Sequence, residues 1–366
     1  MSHDTDILRP LIASRNRLCL NLEGLSKGII MKLRTLLTIT AVMIYGAPIC
    51  GQAIAQPAPL PAPTFHHLLL NSTDPDAAIA FYLKAFPDTK RMDWGGYPGI
   101  WSPTNVLVLF NKVARPPVSD AQATAFWHFG WNPPDQRKKV EDLQAQGFKF
   151  APLWTGIGDG SVVVSSDTYP GAGGVYGLGE TKEQMAENQA KGVKPTGGPG
   201  FAYLMGPDGA LIEVAGKSDP ERFNHVHMWE DQPHCAQLWY ETHLNAQVTR
   251  RPGAPVYTEA NCKVPRGVLT WPSLTKNGMY RDPTAGVQFS DVSMSWYMDQ
   301  TDKPLVSTRG HLMDSVGLGV ADLDAWVAKL KAENVTFLRQ PFKIGDTRAV
   351  VIEGPSHEAL ELVELK

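Results

Sequence analysis

Cysteine is scarce in this 366-residue chain, with four in all. A disulfide-dense miniature scaffold is thereby excluded. Charge of one sign is lacking too: 34 Lys and Arg stand against 37 Asp and Glu, a net −3, with no basic block or stripe. Nucleic acid is therefore not an expected partner. No G-x-S-x-G elbow occurs, so a serine hydrolase of that type is not supported. The glycines of 171–200 and of GIGDG (156–160) do not form a strand–GxGxxG–helix dinucleotide site. Beyond the first 55 residues there is no hydrophobic run long enough to span a bilayer. What is there is ordinary globular composition, 43% hydrophobic and 19% charged.

The first 55 residues differ from the rest. From Met31 the chain reads MKLRTLLTITAVMIYGAPICGQAIAQ. Lys32 and Arg34 form a positive start, an apolar stretch follows, and Ala53-Ile54-Ala55 offers a small-x-small cleavage site. Residues 31–55 are read as a signal peptide, and 1–30 as an extension upstream of the true start. An uncleaved N-terminal anchor is the alternative. Residues 56–63, QPAPLPAP, form a Pro-rich linker. A periplasmic or secreted location is expected, with no stable membrane insertion once the signal is cleaved. Cys235 and Cys262 remain in the mature chain, and either a disulfide or two buried thiols is compatible with their spacing.

The mature chain repeats itself. FNHVHMWEDQPHCAQLWY (223–240) aligns without gaps on FHHLLLNSTDPDAAIAFY (65–82), placing His225 on His67. GPSHEALEL (354–362) aligns on GPDGALIEV (206–214), placing Glu361 on Glu213. SVGLGVADLDAWVAKLKAENVTF (315–337) aligns on HFGWNPPDQRKKVEDLQAQGFKF (128–150), placing Ser315 on His128. Each half of each repeat begins with a strand and then enters a helix. Asp74 and Asp322 stand where N-caps belong, with Pro75 in the first turn. Ile79, Tyr82, Leu83 and Phe86 fall on one helical face, as do Leu323, Trp326, Val327 and Leu330. Gly147 and Asn334 stand at C-terminal cap positions. The runs 106–110, 161–166, 287–297 and 348–353 read as strands. Four βαβββ units result, in two domains, 64–217 and 222–366.

These pieces resemble the vicinal oxygen chelate superfamily, which includes glyoxalase I, bleomycin-resistance proteins and extradiol dioxygenases. The shared features are a strand His ahead of a helix-capping Asp, an FY or WY pair late in that helix, and a closing G-P-x-x-x-x-x-E strand. The resemblance implies an α+β fold: tandem domains, each of two βαβββ units forming an open, curved eight-stranded sheet. It implies His67, His128 and Glu213 as the metal ligands of the first domain, with Glu213 also as catalytic base. On strand alternation His66 is expected to point away from His67. In the second domain His225 and Glu361 fall at ligand positions but Ser315 replaces the third ligand. His227 and His311 are candidates to compensate, and the favoured reading is a degenerate second site.

Two imidazoles and one carboxylate suit a divalent first-row ion, with Fe, Mn, Zn, Ni and Co all admissible. The expected function is that of an exported enzyme, of lyase, isomerase or dioxygenase type, acting on a small molecule with adjacent oxygens. Metal-free sequestration of a small ligand is the alternative. A scaffold that kept the fold and lost the site would leave His67, His128 and Glu213 apart. Residues 171–200 read as a flap or a surface insertion. Among Trp94, Trp101, Trp127, Trp131, Trp154 and Tyr203, some are expected to line a pocket and most to be core.

Overall fold

A computed structural model describes residues 59–117, 123–155, 162–165, 186–188, 190–193, 201–248, 250, 253–267, 269–270, 279–280 and 282–366. The expected signal peptide, linker residues 56–58, most of 171–200, the GIGDG run and the side chain of Trp154 lie outside the described residues. Among the described residues no helix is long and apolar enough to cross a membrane.

The four units appear in order. The first holds β1 (Thr64–Ser72), α1 (Pro75–Ala85), β2 (Lys90–Arg91), β3 (Gly99–Trp101) and β4 (Leu107–Lys112). The second holds β5 (Phe126–Asn132), α2 (Gln136–Ala145), β6 (Pro152–Thr155), β7 (Val162–Ser165), β8 (Phe201–Met205) and β9 (Leu211–Ala215). The third holds β10 (Arg222–Glu230), α3 (Pro233–Leu244), β11 (Leu269–Thr270), β12 (Met279–Tyr280), β13 (Ala285–Phe289) and β14 (Val292–Met298). The fourth holds β15 (Met313–Val320), α4 (Leu323–Ala332), β16 (Phe337–Ile344), β17 (Thr347–Glu353) and β18 (Ala359–Glu364).

Local chemistry sets the helix ends. The Ala77 N–H donates to Asp74 Oδ1 at 3.1 Å and the Ala325 N–H to Asp322 Oδ1 at 2.9 Å, each satisfying an amide the first turn leaves open. Gly147 and Asn334 take positive φ, 85° and 58°, just past their helices, as the C-terminal signals require.

The units pair otherwise than within each half of the chain. One sheet runs β16-β17-β18-β15-β1-β4-β3-β2 and joins the fourth unit to the first. The other runs β13-β14-β10-β5-β9-β8 and joins the third to the second. The joints are antiparallel: β1 on β15, with Leu68 opposite Val316, and β5 on β10, with His128 opposite His227. One face of each sheet packs against its helices. Leu68, Tyr82, Phe86, Phe129, Phe223, Trp296, Trp326 and Leu360 belong to one continuous core. Phe65 and Phe223, equivalent in the repeat, meet there with ring centroids 5.5 Å apart.

Each first strand of a domain carries a bulge at the same place. The register slips between Phe65 and His67 in β1 and between Phe223 and His225 in β10. A bulge inserts a residue and breaks the alternation of side chains. His66 therefore does not point away from His67. Its Nδ1 lies 2.8 Å from His67 Nδ1, and both rings pack on Trp94.

Cys235 in α3 and Cys262 form a disulfide, with Cα atoms 4.8 Å apart across 27 residues of sequence. Glu358 ties the third and fourth units together. The Tyr240 hydroxyl donates to its Oε1 at 2.6 Å and the Ser356 N–H to its Oε2 at 2.7 Å. Its carboxyl occupies the space a Cβ on Gly354 would need, 2.3 Å from that point, so the closing Gly-Pro turn requires glycine. Burial pushes the Glu358 carboxyl up to about 8.

Two outcomes follow for stability. Replacing Cys235 and Cys262 by Ser should cost about 3–4 kcal/mol in urea unfolding, from the loop entropy released in the unfolded chain. An unchanged midpoint would show that the link does not restrain the unfolded state. Because Glu358 is raised in the fold, its contribution is complete below about pH 4.5 and is lost as pH rises towards about 8. Relative to Glu358→Gln, the wild-type chain should lose up to about 1.4 kcal/mol per pH unit across that window. Parallel pH profiles would mean that the folded chain ionises Glu358 as readily as the unfolded one.

Candidate metal centre

The six-stranded sheet brings four donors together on its open face. His128 comes from β5, Glu213 from the adjacent β9, and His225 and His227 from β10 on the other side of β5. One donor atom from each lies within 4.8 Å of the others. His128 Nε2 is 2.9 Å from Glu213 Oε2 and 2.9 Å from His227 Nδ1. His225 Nε2 is 3.9 Å from Glu213 Oε1. The His225 and His227 rings stack at 4.1 Å, two residues apart on one strand face.

Glycine makes the room. A Cβ on Gly130, opposite His225, would lie 1.9 Å from that imidazole. Asn224, the bulged residue, places its Oδ1 3.0 Å from His225 Nδ1. An N–H at Nδ1 donating to that oxygen leaves the Nε2 lone pair facing Glu213. His225 Nε2 and His128 Nδ1 are buried with no hydrogen-bond partner among the described residues. Burial holds the His225 imidazole down to about 4, against the pull of Glu213, so it is neutral at physiological pH.

Aromatic rings wall the centre. Trp127 packs edge-on to His128 at 4.3 Å and stacks on Trp229 at 4.1 Å. Tyr203 meets His128 at 5.2 Å and Tyr297 meets His227 at 4.9 Å. Trp131 is fully buried in the core, Trp101 lies under Lys90, and Trp94 covers the His66–His67 pair of the other sheet.

The expected trio is divided. His128 and Glu213 meet, but His67 stands on the eight-stranded sheet with Glu361, its Nε2 3.7 Å from Glu361 Oε1. The reason is the unit pairing: β1 joins β15, whereas β5 joins β10. His225 and His227, expected in a second site, complete the first one instead. His311 lies in a turn before β15, where its N–H donates to the Thr308 carbonyl, so it does not share the face of Ser315.

Register shows what the second face has lost. The carboxylate position pairs with the residue two past each first-strand ligand position. It is Leu109 in the first unit, Glu213 in the second, Ser295 in the third and Glu361 in the fourth. On the eight-stranded face, then, His67 and Glu361 stand beside Ser315 and Leu109. Leu69, Leu107 and Leu109 form a small apolar cluster under Trp94, Tyr97 and Trp101. Burial pushes Glu361 up to about 7, and burial together with His66 holds His67 well below the ordinary imidazole value. A Cβ on Gly317 would collide with the His67 ring at 2.0 Å, the counterpart of Gly130 and His225.

The donor set fits a divalent ion. Metal–ligand bonds of about 2.1 Å place neighbouring donors roughly 3–4 Å apart. A neutral imidazole lone pair facing a carboxylate oxygen, with no proton between them, is the arrangement a cation relieves. The same residues on the eight-stranded face offer two donors and a hydroxyl, a poorer set.

Comparison with known proteins agrees with the architecture. Residues 222–362 match the sequence model of the Glyoxalase/Bleomycin resistance protein/Dioxygenase superfamily. No curated protein matches the chain. Among solved structures, glyoxalase I from Zea mays superposes with a TM-score of 0.52 at 16% identity, covering 83% of this chain and 92% of that one. Two mutants of the same maize enzyme give TM-scores of 0.51 and 0.50 at 16% and 17% identity; each covers 83% of this chain, and 94% and 92% of theirs. At such identity the likeness speaks for the fold alone. The chain thus shares the fold of glyoxalase I, and its residues 222–362 match the sequence model of the glyoxalase/bleomycin resistance protein/dioxygenase superfamily.

Proposed function

We propose that this chain is an exported, metal-dependent enzyme acting on a small molecule with adjacent oxygens. The observation that carries the reading is the convergence of His128, Glu213, His225 and His227 on one open sheet face, with His225 Nε2 buried and without a hydrogen-bond partner among the described residues. A scaffold that had lost its site would leave its donors scattered. Here the expected trio is scattered, but a different and larger set is assembled. Export is supported by the Cys235–Cys262 pair, which suits an oxidising compartment.

His128, Glu213, His225 and His227 would hold the ion, whose Lewis acidity would polarise the oxygens of a chelating substrate. The chain's own groups supply the rest. Asn224 fixes the orientation of His225. Trp127, Trp229 and Tyr203 exclude water from one side of the centre, which strengthens the charge interactions within it. Glu213 has one oxygen against His128 and the other towards His225, and as the carboxylate of the centre it is the group able to accept a proton. A reaction of lyase or isomerase type, with proton transfer at Glu213, is the form the site favours. Oxygen chemistry is the other form this donor set would serve.

The test is metal content. The wild-type chain, purified from the periplasm, should carry about one divalent ion per chain. His128→Ala, Glu213→Ala and His225→Ala should each lower affinity by at least roughly 100-fold, whereas His67→Ala and Glu361→Gln should leave the stoichiometry unchanged. Loss of metal in His67→Ala with retention in His225→Ala would overturn the assignment. A chain that neither carries nor takes up metal would leave metal-free ligand binding as the function.

A further inference from the structure

A second feature of the six-stranded sheet lies beyond its donor centre. A cavity of about 400 Å³ sits along the outer edge formed by β13. Its floor includes Gly286, Ser293 and Ser295, and its outer wall His234, Arg250 and Tyr257. Ser293 and Ser295 are the register partners of His225 and His227, so their side chains share the face of the donor centre. Gly286 pairs with Ser295 in turn, and a Cβ there would stand 2.8 Å from the Ser295 hydroxyl. The cavity therefore starts one strand from His227. The β13 edge is two strand spacings away, roughly 10 Å, and Arg250 lines the cavity from the segment bridged to that edge at Gln247 and Gln288.

The wall has a definite chemistry. Among the described residues no carboxylate lines it, and Arg250 is the permanently charged group on it. Arg250 gives Nη2 to Glu241 Oε2 at 2.6 Å, a pair on the surface with both side chains about one-third exposed. Such a pair contributes little, and a guanidinium has five N–H donors. The His234 and Tyr257 rings stack at 3.8 Å and 12°, a flat plate opposite the strand edge. Burial lowers the His234 pKa from its ordinary value. The Cys235–Cys262 disulfide begins one residue after His234 and closes five residues after Tyr257, which pins the two halves of the plate together.

We propose that this cavity is a recognition subsite for the anionic end of a small, elongated molecule, a carboxylate on an aliphatic spacer received by Arg250. That the other end of the same molecule meets the His128–Glu213–His225–His227 centre rests on the reading of that centre given above. The substrate class is then a chain of about six to eight carbons with adjacent oxygens at one end and a carboxylate at the other.

The experiment compares two keto acids that differ only at the far end, 2-oxosuberate and 2-oxooctanoate, by calorimetric titration of the wild-type chain with and without Mn²⁺. The dicarboxylate should bind about tenfold more tightly, as a charge-assisted hydrogen bond warrants. Arg250→Gln should reduce the gap to about twofold or less. Glu241→Gln should keep it, and thermal melts of both variants should match the wild type, since both residues lie at the surface. Equal binding of the two acids, or a gap that survives Arg250→Gln, would overturn the subsite. Failure of the metal reading looks different: neither acid would respond to Mn²⁺, while an Arg250-dependent gap would persist and support the subsite on its own.

Discussion

The antiparallel joint between β5 and β10 is the constraint on which the rest depends. It sets His128 opposite His227 and Gly130 opposite His225, and so draws donors from two distant parts of the chain onto one face. The joint works because Gly130 has no side chain. Any Cβ there would collide with the His225 ring, and the two strands could not keep this register with the imidazole turned inward. The same device recurs at Gly317 and His67. A glycine on the partner strand opposite the histidine that follows each bulge, Gly130 for His225 and Gly317 for His67, is thus a packing requirement of each face.

Duplication supplied two such faces, and they have diverged in opposite directions. Where the six-stranded face holds a carboxylate and three imidazoles, the eight-stranded face holds Ser315 and Leu109 at two of its ligand positions. The leucines beneath Trp94 and Tyr97 make that face apolar, and Trp94 lies over His66 and His67. Buried without a full set of donors, His67 and Glu361 each shift towards the neutral form, as desolvation dictates. The two faces share one scaffold and differ in a few side chains, so chemistry here is a property of the site rather than of the fold.

The edge of the six-stranded sheet adds a further layer. In the third unit the carboxylate position is Ser295, which removes a fifth donor and sets a hydroxyl on the strand between the histidines and the β13 edge. The disulfide braces that edge. It ties α3 to the segment carrying Tyr257, where among the described residues no strand pairing continues the sheet beyond Gln247 and Gln288.

Much of the fold was legible in the sequence because its signals are local. Asp74 and Asp322 cap their helices with their own side chains, and Gly147 and Asn334 end theirs with a positive φ. Four units were readable as repeats, and His128, Glu213 and His225 stood out as chemistry-bearing positions within them. Which unit pairs with which was not legible, because strand pairing is a long-range choice among similar edges. The sequence alone therefore grouped His67 with His128, whereas the tertiary structure gave His128 the company of His225 and His227. The bulge at His66 was hidden for a related reason: it is defined by the partner strand's register. Local capping and hydrophobic spacing were settled by neighbouring residues, but the composition of the candidate metal centre was decided by which edges came together and by the glycine that let them do so.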